Sequence, residues 1–283
     1  AIGQIIQDKS NKLKIVFLNV GNGDSAFIKA PGVSGILVDT GPKTPYFDSG
    51  QSILTPFLLW QVVQRLDAIF ISHPESDHMG GTLTTLKNFM VKKIYLNTSP
   101  NQRETISELS ALAKHRNVVM ERANSLSRKV SIGAIDITFL HPHPTSSGKK
   151  LNDLSVVAHL VYRNFSVLFT GDLEREGEKE LLKSGAKIES TILKVPHHGG
   201  KTSATSKRLL SAVHPLIAIV SAEYPQRGGL PSSDVIRRLK GLGVSTLWTG
   251  KDGAITIETD GIKSLKVISG KGNEEVFFSY LDR

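Results

Sequence analysis

The sequence predicts an α/β fold in which two sheets are stacked inside layers of helix. Three observations carry that expectation. The first third is a series of short, β-branched apolar runs, helical patterns then alternate with strands from about residue 52, and the tail returns to strands. Runs such as Val167-Leu-Phe-Thr-Gly-Asp and Thr191-Ile-Leu-Lys-Val are apolar on both faces, as in a sheet covered by helices.

Taken in order, residues 13–19, 26–30 and 35–39 read as strands, separated by glycine-rich turns at Gly21-Asn-Gly-Asp and Pro31-Gly-Val-Ser-Gly. Helices are expected at 52–64, 81–89, 103–115, 173–183, 203–213 and 232–242. Strands between them fall at 67–72, 93–97, 155–162, 165–170, 190–195 and 216–221, and the tail adds 254–259, 262–267 and 275–280. The polar stretch 142–150 reads as one exposed loop. No linker or low-complexity segment divides the chain, so residues 1–283 are expected to form one domain, each half contributing one sheet.

Composition narrows the chemistry. With 283 residues and 39% hydrophobic content, the chain can bury a large core. No apolar run approaches the roughly 20 residues a membrane span needs, and the longest candidate is broken by Pro56. There is no cysteine, so any metal must be held by histidine and carboxylate. The chain starts at Ala1 without a hydrophobic signal core, which reads as a mature form or a piece of something longer. A net charge of +9 favours polyanions such as nucleic acid, teichoic acid or anionic lipid heads without choosing among them.

Metal-ligand candidates recur at the carboxyl ends of expected strands, where α/β proteins build their sites. Asp39 follows Gly35-Ile-Leu-Val; His73, Glu75, Asp77 and His78 follow Ala68-Ile-Phe-Ile; Asp172 follows Val167-Leu-Phe-Thr-Gly; and His197-His198 follow Ile192-Leu-Lys-Val-Pro. Asn152 and Asp153 come just before another strand. Taken singly, an aspartate after a strand is usually a cap or turn former, and an adjacent histidine pair is usually a surface feature. Their convergence on strand ends, with glycine beside three of them, is what a dinuclear site requires.

These residues resemble the metallo-β-lactamase superfamily, whose hallmark is H-x-H-x-D-H with later Asp and His ligands. Within it they resemble the soluble domain of the ComEC competence proteins, the DNA-uptake channel family. That branch carries S-H-P-D-x-D-H-x-G-G, and here the stretch is Ser72-His-Pro-Glu-Ser-Asp-His-Met-Gly-Gly. Phe17-Leu-Asn-Val-Gly-Asn-Gly-Asp resembles F-L-D-V-G-Q-G-D, and Leu37-Val-Asp-Thr-Gly-Pro resembles L-I-D-x-G. Asn152-Asp-Leu-Ser-Val-Val stands where the branch has N-N-x-S-L-V, Leu168-Phe-Thr-Gly-Asp matches L-L-T-G-D, and Leu193-Lys-Val-Pro-His-His-Gly-Gly resembles L-K-V-x-H-H-G-S.

The resemblance implies an αββα four-layer sandwich with the site on the shared edge of its sheets. It implies that His73, Glu75 and one of His197 and His198 hold one metal, Asp77 and His78 a second, and that Asp172 bridges both. Asp39 would orient ligands from behind, with Asn152 in a similar supporting place, and Asp77, His78 and Asp172 would carry catalysis. The chain departs from the branch at four positions. Glu75 replaces a shorter aspartate, Asp153 replaces an asparagine and could add an oxygen ligand, Leu230 stands where a histidine usually precedes Pro231, and Asn19 replaces an aspartate.

Imidazole with several carboxylates suits zinc or manganese, and two such ions would activate a water for attack on a phosphodiester. Lys201, Thr202 and Ser203 at an expected helix start, together with Arg227, are candidate phosphate contacts. The resemblance therefore implies a nuclease acting on single-stranded DNA during DNA uptake. With five Tyr and two Trp, extensive base stacking is not evident, so cleavage should be sequence-tolerant. Alternatives are a phosphodiesterase, esterase or lactonase on a small or cell-wall substrate, and a non-catalytic DNA-guiding module. Localisation at the extracytoplasmic face of a bacterial membrane or in the medium fits best, with the cytoplasm open. The chain itself should not touch the membrane, although it could be one domain of a membrane channel.

Overall fold

The computed structural model describes residues 11–97, 106–126, 129–146, 150–225 and 229–271, and the backbone of 275–279. Among these residues two large sheets pack face to face. The first runs, in spatial order, Glu275–Ser279, Ser264–Ser269, Ile255–Thr259, Leu13–Phe17, Ala26–Lys29, Ile36–Val38, Arg65–Ile71, Met90–Leu96 and Val119–Arg122. The second runs Ser245–Trp248, Ile217–Val220, Ile192–Lys194, Phe165–Phe169, Val157–Tyr162, Ile135–His141 and Val130–Ile132.

Period-2 alternation explains why each sheet is covered on both faces. In Arg65–Ile71, Ala68 and Phe70 enter the core between the sheets, whereas Ile69 and Ile71 face the helices Thr55–Trp60, Thr82–Asn88 and Ser107–His115. In the second sheet Phe165, Val167 and Phe169 point into the shared core, and Leu168 packs towards Arg175–Lys183, Lys207–Val213 and Ser233–Gly241. Three apolar layers thus separate four layers of secondary structure, the αββα sandwich. The middle layer is aromatic: Phe70 stacks on Tyr95 at 4.9 Å, and Phe139 lies 5.7 Å from Phe70. Burying each such side chain contributes about 1.5–3 kcal/mol.

The structure corrects the expected division into halves. The last three strands return to the first sheet, where Ile255–Thr259 pairs antiparallel with Leu13–Phe17. Besides the short pair Lys43–Thr44 and Phe47–Asp48, four strands of the two large sheets were not expected. Ile135–His141 alternates buried and half-buried residues, a legible period-2 signal, but Val119–Arg122, Val130–Ile132 and Ser245–Trp248 include no fully buried residue and form sheet edges with little hydrophobic pattern. The expected helix at 203–213 begins only at Lys207, because the Ser206 hydroxyl accepts from the Leu209 N–H and caps it there.

Strands Ile36–Val38, Arg65–Ile71 and Met90–Leu96 run parallel, as do Phe165–Phe169, Ile192–Lys194 and Ile217–Val220. Their carboxyl ends deliver Asp39, Ser72-His73, Asp172, His197-His198 and Ser221. The two sheets touch there: the Val156 N–H donates to the Ser72 carbonyl at 2.8 Å. Gly171 has φ +51°, and a Cβ on it would stand 2.7 Å from Ser72 Cβ, so this crossing admits no side chain.

Candidate metal centre

Three histidines are held so that one ring nitrogen is presented inward. Asp39, in the left-handed region at φ +58°, accepts from the Ser72 N–H at 2.7 Å, the Ser72 hydroxyl at 2.8 Å and His78 Nδ1 at 2.9 Å. A carboxylate at this site only accepts, so His78 keeps a proton on Nδ1, and Nε2 is the nitrogen that can give up its proton and offer a lone pair to a metal. The Ser72 hydroxyl has spent its proton on Asp39, so His73 Nδ1, 3.0 Å away, donates to that oxygen and frees its own Nε2. His198 Nδ1 donates to the Ser221 carbonyl at 2.8 Å with the same result.

His73, His78 and His198 are buried, and each Nε2 lacks a hydrogen-bond partner, as does Asp172 Oδ1. His78 Nε2 lies 3.1 Å from Asp172 Oδ1, close enough for an ion pair but without hydrogen-bond alignment. Native interiors rarely leave so many buried polar atoms unpaired in one place. Asp77, His78, Asp172 and His198 bring one donor atom each within 4.8 Å of one another. His198 Nε2 is 3.4 Å from Asp77 Oδ2 and 3.5 Å from Asp172 Oδ2. Imidazole nitrogens and carboxylate oxygens converging with inward lone pairs fit a divalent cation.

The histidine pair is divided by backbone conformation. His197, His198 and Gly199 are three consecutive left-handed residues, at φ +47°, +52° and +76°. Non-glycine residues there cost about 1–3 kcal/mol each, a strain that marks functional turns. The turn sends His198 into the centre and leaves His197 about a quarter exposed, its Nδ1 3.3 Å from Glu174 and its Nε2 3.8 Å from Asp172 Oδ2. His198 therefore groups with Asp77 and His78, not with His73 and Glu75 as the resemblance implies.

The remaining candidates are placed less centrally. Glu75, 40% exposed, reaches to 3.9 Å from His73 Nε2. Asp153 is buried, but its Oδ1 accepts from the Gly177 N–H at 2.8 Å, so it fixes the helix Arg175–Lys183 and stands outside the donor group. Asn152 begins the same short turn, Asn152–Leu154. Lys201, Thr202 and Ser203 lie in a turn ahead of the Ser206 cap: Thr202 donates to Glu174 at 2.8 Å, Ser203 is buried, and Lys201 is exposed. Arg227 lies outside the described residues.

Asp24 and Lys194, which lie within the sequence motifs but outside the expected site residues, form a buried ion pair behind the histidines. Asp24 stands 3.7 Å from His78 Nδ1 and 3.5 Å from His198 Nδ1. The signal was present: a charge inside an apolar strand (Lys194 in Ile192–Lys194) and an acid between a glycine turn and a buried strand. Beneath the pair lies a cavity of about 20 Å³, enough for one water, bounded by Asp39, Ser72 and Thr170 as well.

Burial pushes the His78 and His198 imidazoles down. Asp172 outweighs it, helped by Asp39 at His78 and Asp24 at His198, and holds both well above the ordinary histidine range. Burial would raise Asp172, but His198 and His78 hold it well below the carboxylate range. Asp77 is likewise lowered, by His198 and His78 against burial. A histidine raised by folding stabilises the protein fully below its unfolded value, near pH 6.5, and loses that contribution as pH rises through the folded value. In chelator-treated protein the melting temperature should therefore fall as pH is raised above about 6.5. Divalent metal competes for the same nitrogens, so its affinity should rise over that window with release of protons. Thermal scans with chelator and calorimetry in two buffers check both, and a flat melting profile with no proton release would contradict the assignment.

Comparison with known proteins agrees with this fold. The family described as "Beta-lactamase superfamily domain" matches residues 35–196, and the chain belongs to this superfamily, the metallo-β-lactamase class of metal-dependent hydrolases. ComE operon protein 3 of Bacillus subtilis (strain 168) is 29% identical over 258 residues, covering 87% of this chain and 33% of that protein. Competence protein ComA of Neisseria gonorrhoeae is 30% identical over 228 residues, covering 78% of this chain and 30% of its own length. The chain thus spans about a third of the curated relatives it matches. Among solved structures, the diiron β-hydroxylase CmlA from Streptomyces venezuelae superposes with TM-score 0.55 at 13% identity, over 83% of this chain and 52% of that one. A diphosphatase of the PhnP family gives 0.51 at 13%, over 88% and 98%; these two show the fold alone. Among the described residues no helix is long and apolar enough to cross a membrane.

Proposed function

We infer that the chain is a phosphodiester hydrolase that cuts single-stranded DNA during DNA uptake, with two divalent ions, manganese or zinc, in its centre. The observation that carries this is the set of inward, unpartnered donors His73 Nε2, His78 Nε2, His198 Nε2 and Asp172 Oδ1. Bound ions would supply an acidified water and neutralise charge on the phosphoryl oxygens. The chain's own groups do the rest. Asp39, through Ser72, and the Ser221 carbonyl keep the protons on Nδ1 of the three histidines. Asp77, about one-third exposed and held ionised, accepts the proton of the attacking water. Lys201 is exposed beside His197-His198 in sequence, and the net charge of +9 favours a polyanion. The competence names of the relatives support DNA as the substrate, and on this reading the domain works at the extracytoplasmic face.

The test is purified protein with manganese or zinc, metal content measured, acting on end-labelled single-stranded DNA. Cleavage that weakens steeply with salt is expected. Intact DNA at full occupancy overturns the reading, whereas hydrolysis of small esters at a salt-independent rate would favour a small substrate.

A further inference from the structure

Beside the centre, three segments that are distant in sequence build a cationic groove of about 310 Å³. Arg175 and Lys179 come from the helix Arg175–Lys183, Lys201 and two serines from the turn before Lys207–Val213, and Arg238 from Ser233–Gly241. The turn is pinned in place: the Ala204 N–H donates to the Leu173 carbonyl at 2.9 Å, and Arg238 Nη2 donates to Thr205 Oγ1 at 2.9 Å. The acidic member of the groove, Glu178, is buried and accepts from the Ser206 N–H at 3.2 Å. Lys179 is matched by Glu176 at 2.6 Å. Among the described residues, Arg175, Lys201 and Arg238 make no ion pair, and Arg238 Nε is buried without a partner.

A second groove, of about 610 Å³, shares Arg175 and Lys201 and leads towards the centre, because Thr202 Oγ1 lies 3.3 Å from His197 Nδ1. Its charges nearly cancel: Lys150, Arg175 and Lys201 face Asp153, Glu174 and Glu176. The cationic groove beyond it has an excess of positive charge and two hydroxyls, Ser203 and Ser206. Arginine there suits a phosphate oxygen better than a point charge does, because its fork donates two bonds.

We propose that Arg175, Lys201 and Arg238 hold a backbone phosphate of a single-stranded nucleic acid, away from the phosphate being cut. The strand then crosses the balanced groove and reaches the centre past His197. The occupant's identity rests on the nuclease reading above; the anion site rests on the groove itself.

Binding of a fluorescein-labelled single-stranded oligonucleotide to metal-free protein, read by anisotropy across a salt series, tests the site apart from catalysis. Arg175→Gln and Arg238→Gln should each weaken binding roughly 3–10-fold and flatten the logarithmic salt slope by about 0.7. Lys183→Gln on the last turn of the same helix, and Lys114→Gln on a distant helix, remove the same charge and should leave binding within twofold. Equal effects of all four variants would mean a diffuse field and would overturn the groove. Should Arg238→Gln unfold through loss of its Thr205 contact, Arg175→Gln decides alone. Binding that depends on Arg175 without any cleavage would sustain the groove while removing the nuclease reading. Cleavage with Arg175 and Arg238 indifferent would do the reverse.

Discussion

Asp172→Asn should leave a folded protein that no longer retains divalent metal. The side chain keeps its shape but loses the charge that faces His78 at 3.1 Å and His198 at 3.5 Å. Removing groups that merely support a ligand costs about 10–100-fold in metal affinity, so loss of the shared carboxylate should exceed 100-fold. Hydrolysis should fall at least as far, since the nucleophile and the charge neutralisation are lost together. Mass-spectrometric metal analysis after dialysis, with a phosphodiester assay, reads both. Wild-type metal content in Asp172→Asn would remove Asp172 from the centre. Asp153→Asn is the matched contrast: its oxygen is committed to Gly177, so metal content should stay unchanged.

Asp39 gives the second large effect, and two substitutions separate its roles. Asp39→Ala strands the Ser72 N–H without its acceptor, leaves His78 Nδ1 only the Ser72 hydroxyl at 3.2 Å, and places alanine at φ +58°. The loss should be about 2–4 kcal/mol of stability in urea melts, with metal affinity down 10–100-fold. Asp39→Asn can still accept from the Ser72 N–H. Its amide, turned to His78, donates where the carboxylate accepted, so His78 must accept at Nδ1 and carry its proton on Nε2. That places hydrogen where the metal lone pair was. Asp39→Asn should therefore keep most of the stability and lose most of the metal. If both properties fell together in the two variants, Asp39 would be a structural residue only.

The sequence made much of this legible, for physical reasons that differ by residue. His73, Asp77, His78 and Asp172 were readable because parallel strands deliver their next residues to one edge, and apolar runs announce such strands. The choice between His197 and His198 was not, since it depends on consecutive left-handed residues that neither side chain predicts. The role of Asp153 at the helix start is not legible, because the Gly177 N–H that its Oδ1 accepts from lies 24 residues later. Asp24 and Lys194 meet only when both sheets are assembled, so their pairing leaves no local pattern. The edge strands Val119–Arg122 and Ser245–Trp248 escaped because neither includes a fully buried residue.

Asp39, His73, Asp77 and His78 follow strands of one sheet, while Asp172 and His198 follow strands of the other. A cation gripped by His78 and Asp77 from one sheet, with Asp39 braced behind His78, and by Asp172 and His198 from the other is a rivet through the sandwich, and opening the two slabs would require its release. By mass action, free metal at 100 times its dissociation constant would add about 2.7 kcal/mol against that opening. The domain would then be toughest where metal is plentiful and would loosen between its sheets, before its helices melt, where metal is scarce.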